Sequence, residues 1–370
     1  MRPEHVTVIG AGIVGGSIAF HLAERGAEVT LIDAGQPGHG ASRVSFAWIN
    51  GRDKNPRGYH ELNRRSQDMW RRFADRLEAD VGLTWGGEMR WSVTAGGADE
   101  LRSRVAELQS WGYPIHTLSP EEAAEMEQGI RFGDVTAVSF TDSDGHVDPV
   151  RVAVACAGRV RQLGGEVILD TPVEAIAVSD GHAHSVQAEN REIETDSIVI
   201  AAGAASPRLA GLAGIELGDA HSFGSTTITT PLEEPLFSNI AAMHTPRDLP
   251  DSLLNIRQLS DGSVMIHGGE HGIMGREGSR DDGDQLLEEA VRWLPGISGA
   301  EVAEIRRATR PVPPDGHPVL GFARDVGNVY IAFTHSGVSL APLIGEFAAI
   351  EILDGARIKA LEPYRLEPFT

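Results

Sequence analysis

A single cysteine, no long apolar run and a shortage of positive charge set the first limits on this 370-residue chain. With Cys156 alone, an intrachain disulfide, a thiolate zinc cluster and a Cys-x-x-Cys redox pair are all excluded. The residue lies in the apolar-periodic run Val150–Leu163, where a small buried side chain is expected. No stretch approaches 18 uninterrupted apolar residues, so no membrane span is expected. Against 32 Lys and Arg stand 53 Asp and Glu, and the resulting net charge of -21 repels a nucleic-acid backbone. The densest basic stretch, Arg64-Arg65 and Arg71-Arg72, is interleaved with Glu61, Asp68 and Asp75, as on a solvated helix face. A strand opening close behind the first methionine leaves no room for a signal peptide, and a cytoplasmic chain is the expectation.

Histidine pairs that suggest a metal dissolve on inspection. His182-x-His184 flanks a turn. His267-x-x-x-His271 would need a helix through Gly268-Gly269, so no metal site is expected.

What the chain has in plenty is glycine, 43 residues, and the informative ones come first. The run His5–Ile9 reads as a strand, Gly10 to Gly16 as a turn, and Ser17–Arg25 as a helix stopped by Gly26. Glu28–Ile32 is the next strand, ending at Asp33. This is a βαβ unit with a G-x-G-x-x-G fingerprint. Gly10 permits the tight turn, Gly12 the close approach of a pyrophosphate, and Gly15 tight helix–strand packing. Amides of Ile13 and Val14 then face the phosphates at the positive end of the helix. Asp33, beside Ala34, can accept from ribose hydroxyls and disfavours a 2′-phosphate. The fingerprint by itself leaves NAD and FAD open.

Further along, helices are expected near Glu61–Leu77, Leu101–Trp111, Ser119–Met126, Asp148–Leu163, Asp284–Trp293 and Ala341–Leu353. Strands are expected between Gly82 and Trp91, at Glu166–Leu169, through 173–200, and at Thr226–Thr230, Asn255–Leu259, Val264–His267 and Asn328–Ala332.

Four more segments, in order along the chain, resemble the family of FAD enzymes that contains D-amino-acid oxidase, glycine oxidase and sarcosine oxidase. They are Gly40-Ala41-Ser42-Arg43, His146-Val147-Asp148-Pro149, Ile198–Ser206, and the closing pair Arg310–Gly321 with Thr334–Pro342. The resemblance implies an α/β fold. A Rossmann-like FAD-binding domain would be built from the discontinuous segments 1–80, 148–220 and 308–370, with a mixed β-sheet and helices forming a substrate cap from 81–147 and 221–307. It implies noncovalent FAD, because the cysteine and histidine attachment points of relatives are here Ala308 and Val44.

The same resemblance assigns sites. Gly40 to Arg43 would follow the pyrophosphate toward the flavin, Val173 would contact adenine, and Ala202-Gly203 would pass close to the cofactor. Ser336, Gly337, Val338 and Ser339 would present N–H groups to the pyrimidine end of the ring, with Ala47 and Trp48 walling the site. Arg310 would hold a substrate carboxylate or brace its loop, and His335 would touch the substrate, tune the flavin or serve structure alone. Arg43 reads as an active-site or a phosphate-neighbour arginine, and Trp48 fits core packing as well.

The implied reaction is oxidation of a C–N bond in an amino acid or amine by hydride transfer to flavin N5. It gives an imine, then a carbonyl, with hydrogen peroxide if oxygen is the acceptor. Sarcosine oxidases have a lysine near the flavin that promotes reaction with oxygen, and Ser339 stands at the aligned position. A dehydrogenase that passes electrons to a quinone or partner protein therefore stays open. So do a non-catalytic flavoprotein with structural FAD and a pyridine-nucleotide dehydrogenase.

Overall fold

Short β-branched runs buried on both faces make the central layer. In the computed structural model, which describes residues 3–218, 222–246, 248, 254–268 and 279–366, they form a six-stranded sheet. Its order is Val319–Phe322, Val329–Phe333, Ser197–Ile200, His5–Ile9, Glu28–Ile32, Glu166–Ile168. All neighbours are parallel except the first pair, and Val8 sits in register between Leu31 and Val199. Parallel strands need covered faces. Here Val6, Val8, Leu31 and Val199 share one core with Ile18, Leu22, Leu340, Leu343 and Ile344 from helices Ile13–Glu24 and Gly337–Asp354.

Those two helices cross closely because one contact point is glycine. A Cβ on Gly345 would overlap Ser17 Oγ and His21 Nδ1. Ser17 Oγ also donates to the Ala341 carbonyl at 2.8 Å, beside Pro342, which lacks an N–H to continue the helix ladder.

A second, eight-stranded sheet runs Val302–Arg310, Ser222–Thr229, Val264–Gly268, Leu254–Gln258, Ala242–His244, Glu88–Ser92, Ala137–Thr141, Ile115–Leu118. It is antiparallel except where Ala242–His244 lies parallel to Glu88–Ser92. Between the large sheets, Gly145–His146 pairs with Trp48–Ile49 and Thr84–Trp85 in a three-stranded ribbon. The Val302–Arg310 strand runs on past residue 307, so Arg310 ends a strand of the second sheet.

Most expected elements are present, with informative differences. The first and last helices start at Ile13 and Gly337, four residues ahead of the expected Ser17 and Ala341, so their glycine turns belong to the first helical turn. The helix expected near Glu61–Leu77 spans Arg57–Arg76, and Ala95–Ser110 begins at the Thr94 cap, whose hydroxyl accepts from Gly97 N–H. Strands at Ala137–Thr141, Val302–Arg310 and Val319–Phe322 lay outside the sequence reading. The middle one contains Glu304, Arg306, Arg307 and Arg310, charges that hide a strand whose pairing with Ser222–Thr229 is set by tertiary contact. Cys156 is fully buried in a core cluster with Ile13 and Phe20.

A Cβ on Gly15 would overlap the Gly10 carbonyl oxygen and press on Ala201 Cβ. Substituting Gly15→Ala is therefore expected to destabilise the flavin-free protein by about 3 kcal/mol. Thermal denaturation checks this: a melting temperature lowered by several degrees is expected, and one equal to wild type would contradict the packing role.

Candidate functional site

The end of the first strand, the start of the first helix and the end of the Ser197–Ile200 strand converge on one cavity of about 560 Å³. Gly10 turns the chain with φ of 112°, and a Cβ there would overlap the Ala201 carbonyl. Gly12 is different. Its φ of -72° suits any residue, and a Cβ would meet only Ser42 Oγ at 3.5 Å. Protein packing does not require a glycine at this position, so the open space beside it belongs to a ligand.

The first turn of the helix has no side-chain cap and no acidic residue; Ile13 N–H goes to Ser42 Oγ at 3.2 Å. Asp33 accepts from Ala11 N–H at 2.6 Å and Gly35 N–H at 2.8 Å, which fixes its carboxylate at the cavity wall. The Ile13 amide, expected to face a phosphate, is thus taken by Ser42. The rest of a helix start that Gly12 leaves without a side-chain cap, with a fixed acid one strand away, suits a diphosphate and a ribose. Gly40, Ala41 and Ser42 line the same wall, and Ala202 with Gly203, at φ of 58°, closes the other.

The segment 45–50 forms the middle of the cavity. Ala47 is fully buried in the left-handed region, at φ of 58°, held by its N–H to Ser45 Oγ at 2.9 Å. A non-glycine residue in this region is strained and is kept only where surroundings enforce it. The next residue, Trp48, lines the cavity. Behind it the His244 ring lies 4.5 Å away and the Arg90 guanidinium 4.9 Å from the indole.

Both braces are part of a buried charge cluster. Glu88 is fully buried and meets Arg52 Nη1 at 2.6 Å, His244 Nε2 at 2.7 Å and Arg90 Nε at 3.1 Å. Burial alone would raise the Glu88 carboxyl, but Arg90 and Arg52 overcome it and hold it well below the usual carboxylate range.

Ser339 lines the cavity, and its side chain is engaged with the wall. Its hydroxyl donates to the Trp48 carbonyl at 2.9 Å and accepts from Asn50 N–H at 3.3 Å, so it pins the 48–50 segment to the last helix. Gly337 lets that helix approach the first one, since a Cβ would stand 3.1 Å from Val14 Cγ2. Ser336 caps the helix by backbone alone and, with Gly337 and Val338, lines the cavity.

At the far end stand the cations. Arg310 lies across Gly224, where any Cβ would overlap its Nε, and donates from Nη2 to His267 Nε2 at 2.7 Å. The Asn255 side chain then bridges Nδ1 of His267 and Nδ1 of His244. Burial, with Arg310 next, pushes His267 down to about 3, which keeps its ring neutral and able to accept. His335 opens onto the cavity, yet the surrounding protein and the charges of Lys54 and Arg310 push it down to about 4. Lys54 Nζ donates to Ser336 Oγ at 2.9 Å, and burial draws its ammonium below the ordinary lysine value. Among the described lining residues, Asp33 at the opposite end is the only carboxylate.

Of the residues singled out from sequence, Gly15, Ala34, Arg43 and Val173 do not line this cavity. Gly15 acts through packing. Arg43 is exposed and paired with Glu304, and Val173 is buried at the start of an antiparallel strand in a separate core cluster. His182 and His184 bond Asn328 and Ser179, and no metal-binding group occurs among the described residues, which exclude His271. Lys54, His267, Asn255 and Phe46 line the cavity and were missed. Only Lys54 had any signal in the sequence, as a charged residue close behind the apolar segment 46–49.

The lining therefore fits FAD, by its open Gly12, its uncapped amides and its fixed Asp33. Substituting Gly12→Ala is expected to leave the flavin-free melting temperature within a degree or two of wild type while weakening FAD binding at least about tenfold. Fluorescence titration checks this, and unchanged FAD affinity would show that the space beside Gly12 is not the ligand's.

The comparisons with known proteins agree with this geometry. A family model described as FAD dependent oxidoreductase matches residues 5–350. One of the chains of opine oxidase from Agrobacterium tumefaciens is 26% identical, covering 92% of this chain and 91% of that one. Glycine oxidase of Bacillus licheniformis is 26% identical over 99% of this chain and 98% of its own. The crystal structure of glycine oxidase from Geobacillus kaustophilus superposes with a TM-score of 0.87 at 23% identity, covering 99% and 100% of the two chains. With a family match that spans nearly the whole chain and a cavity shaped for the cofactor, the chain belongs to the FAD-dependent oxidoreductases of the D-amino-acid oxidase type.

Proposed function

We propose that this enzyme oxidises the C–N bond of an amino acid, with Arg310 binding the substrate carboxylate. The observation that carries the reading is the charge pattern at the far end of the cavity. Arg310 and Lys54 both line that end, and both nearby histidines are held neutral. The names of relatives, glycine oxidase and opine oxidase, support the substrate class.

Bound FAD supplies a two-electron acceptor. The residues supply the rest. The guanidinium of Arg310, kept in place by His267 and the gap over Gly224, offers a planar fork to a carboxylate. The two cations disfavour a third, so the substrate nitrogen loses its extra proton before oxidation. His335, neutral at working pH, serves as an acceptor that orients the amine rather than as a strong base. Trp48 and Phe46 keep water from the reacting carbon. Loss of two electrons and two protons gives an imine, and water then releases the carbonyl product and the amine.

For the electron acceptor, Lys54 supports oxygen. Negative charge develops on oxygen as it is reduced, and a buried ammonium favours it. Lys54 would thus do from another segment what Ser339 cannot, with hydrogen peroxide as the second product.

Anaerobic bleaching of the flavin against D- and L-amino acids, N-methyl amino acids and simple amines tests the reading. Bleaching by carboxylate-bearing amines is expected, and Arg310→Ala should weaken these by at least about 100-fold, the loss of two charge-assisted bonds. Amines without a carboxylate should be affected little. No bleaching by any member of the panel would overturn the activity, and an equal effect on both classes would overturn the role of Arg310.

A further inference from the structure

A second cavity, of about 250 Å³, lies between the Thr84 and Gly145–His146 strands of the ribbon and the eight-stranded sheet. Its notable lining residue is Arg257, only 3% exposed. One of its nitrogens, Nη1, bonds His146 Nδ1 at 3.1 Å, and Nε is sealed with no acceptor. His146 gives no charge in return, because burial, with Arg257 next, holds its ring neutral.

A buried guanidinium normally has a carboxylate against it, since an unpaired charge away from water costs several kcal/mol. Arg52 and Arg90, as deeply buried, follow that rule, since both meet Glu88. Arg257 forms no such pair among the described residues. Asp148, which also lines this cavity, is committed elsewhere. Its Oδ1 accepts from Val150 and Arg151 N–H at 2.9 and 3.1 Å, and Oδ2 lies 3.6 Å from Arg151 Nε. Burial draws Arg257 down to about 9 against the more distant attraction of Asp148, so it stays a cation at neutral pH.

We propose that this cavity is a binding site for a small oxyanion, a carboxylate or a phosphate, with Arg257 as its counter-charge. The space holds such an ion with a few waters, and the exposed residues Thr84 and Ser260 leave it a way in. The site is separate from the flavin cavity, with Phe46 between them: its ring lies 5.7 Å from the Arg257 guanidinium and also lines the larger cavity.

The test is thermal denaturation of the FAD-loaded enzyme in a low-anion buffer at constant ionic strength, titrated separately with acetate and with inorganic phosphate. A saturable rise of several degrees is expected with at least one, and which one responds tells carboxylate from phosphate. The rise should be lost in Arg257→Met and kept in Arg310→Ala, which excludes binding at the substrate end. No saturable rise in wild type, or a full rise in Arg257→Met, overturns the proposal. If Arg257→Met does not fold, crystals of the wild-type holoenzyme grown with selenate decide. An anomalous selenium peak within hydrogen-bond reach of Arg257 supports the site, and solvent alone there overturns it.

Discussion

The architecture depends on how closely the first helix can approach the end of the first strand. Gly15 rests on the Gly10 carbonyl, and Gly10 on the Ala201 carbonyl, at distances no side chain would allow. This stack aims the uncapped helix start at the cavity and brings the Ser197–Ile200 strand beside it. The last helix repeats the device, packing on the first through Gly337 and Gly345. Two helix starts, formed more than 300 residues apart in sequence, thus open on the same space. An FAD site is what that convergence produces.

Charge is arranged with equal economy. Acidic residues dominate the chain, yet the end of the cavity away from Asp33 is lined by Lys54 and Arg310 and by histidines held neutral. Directly behind, Glu88 meets Arg52 and Arg90 in a buried cluster, Asp53 supplies Arg90 with a second carboxylate, and Arg90 and His244 brace Trp48. Polar links continue from His244 through Asn255 and His267 to Arg310. The position of the proposed carboxylate-binding group is therefore tied to a salt-bridged core by an unbroken set of contacts. Removing a member in the middle, such as Asn255, would leave buried polar atoms without partners.

The dinucleotide half of the site was legible in sequence because its physics is local. A turn, a close approach and an acid at the next strand end must occur at fixed spacing, and Gly10, Gly12 and Asp33 stand where that logic places them. Hydrophobic period likewise found the buried parallel strands. The substrate half was only partly legible. Arg310 was found through resemblance, but His267 and Asn255 reach it from separate strands of the second sheet, and no spacing links them. Lys54 is joined to Ser336 across 282 residues. Two helices begin four residues earlier than their sequence suggests because glycine lowers helix propensity, whereas here glycine is the packing requirement that lets the helix begin. The strand Val302–Arg310 was hidden by its charges, of which Glu304 meets Arg43 and Arg310 meets His267 across the fold.

FAD in this cavity is held without a covalent bond, since neither Ala308 nor Val44 offers an attachment and Cys156 is buried elsewhere. The most direct measurement is to purify the protein, denature it with acid, separate the precipitate and identify the flavin in solution. A yellow protein that releases intact FAD, close to one per chain, is expected. A protein that neither contains flavin nor takes up added FAD would contradict it, as would flavin that stays with the precipitated chain.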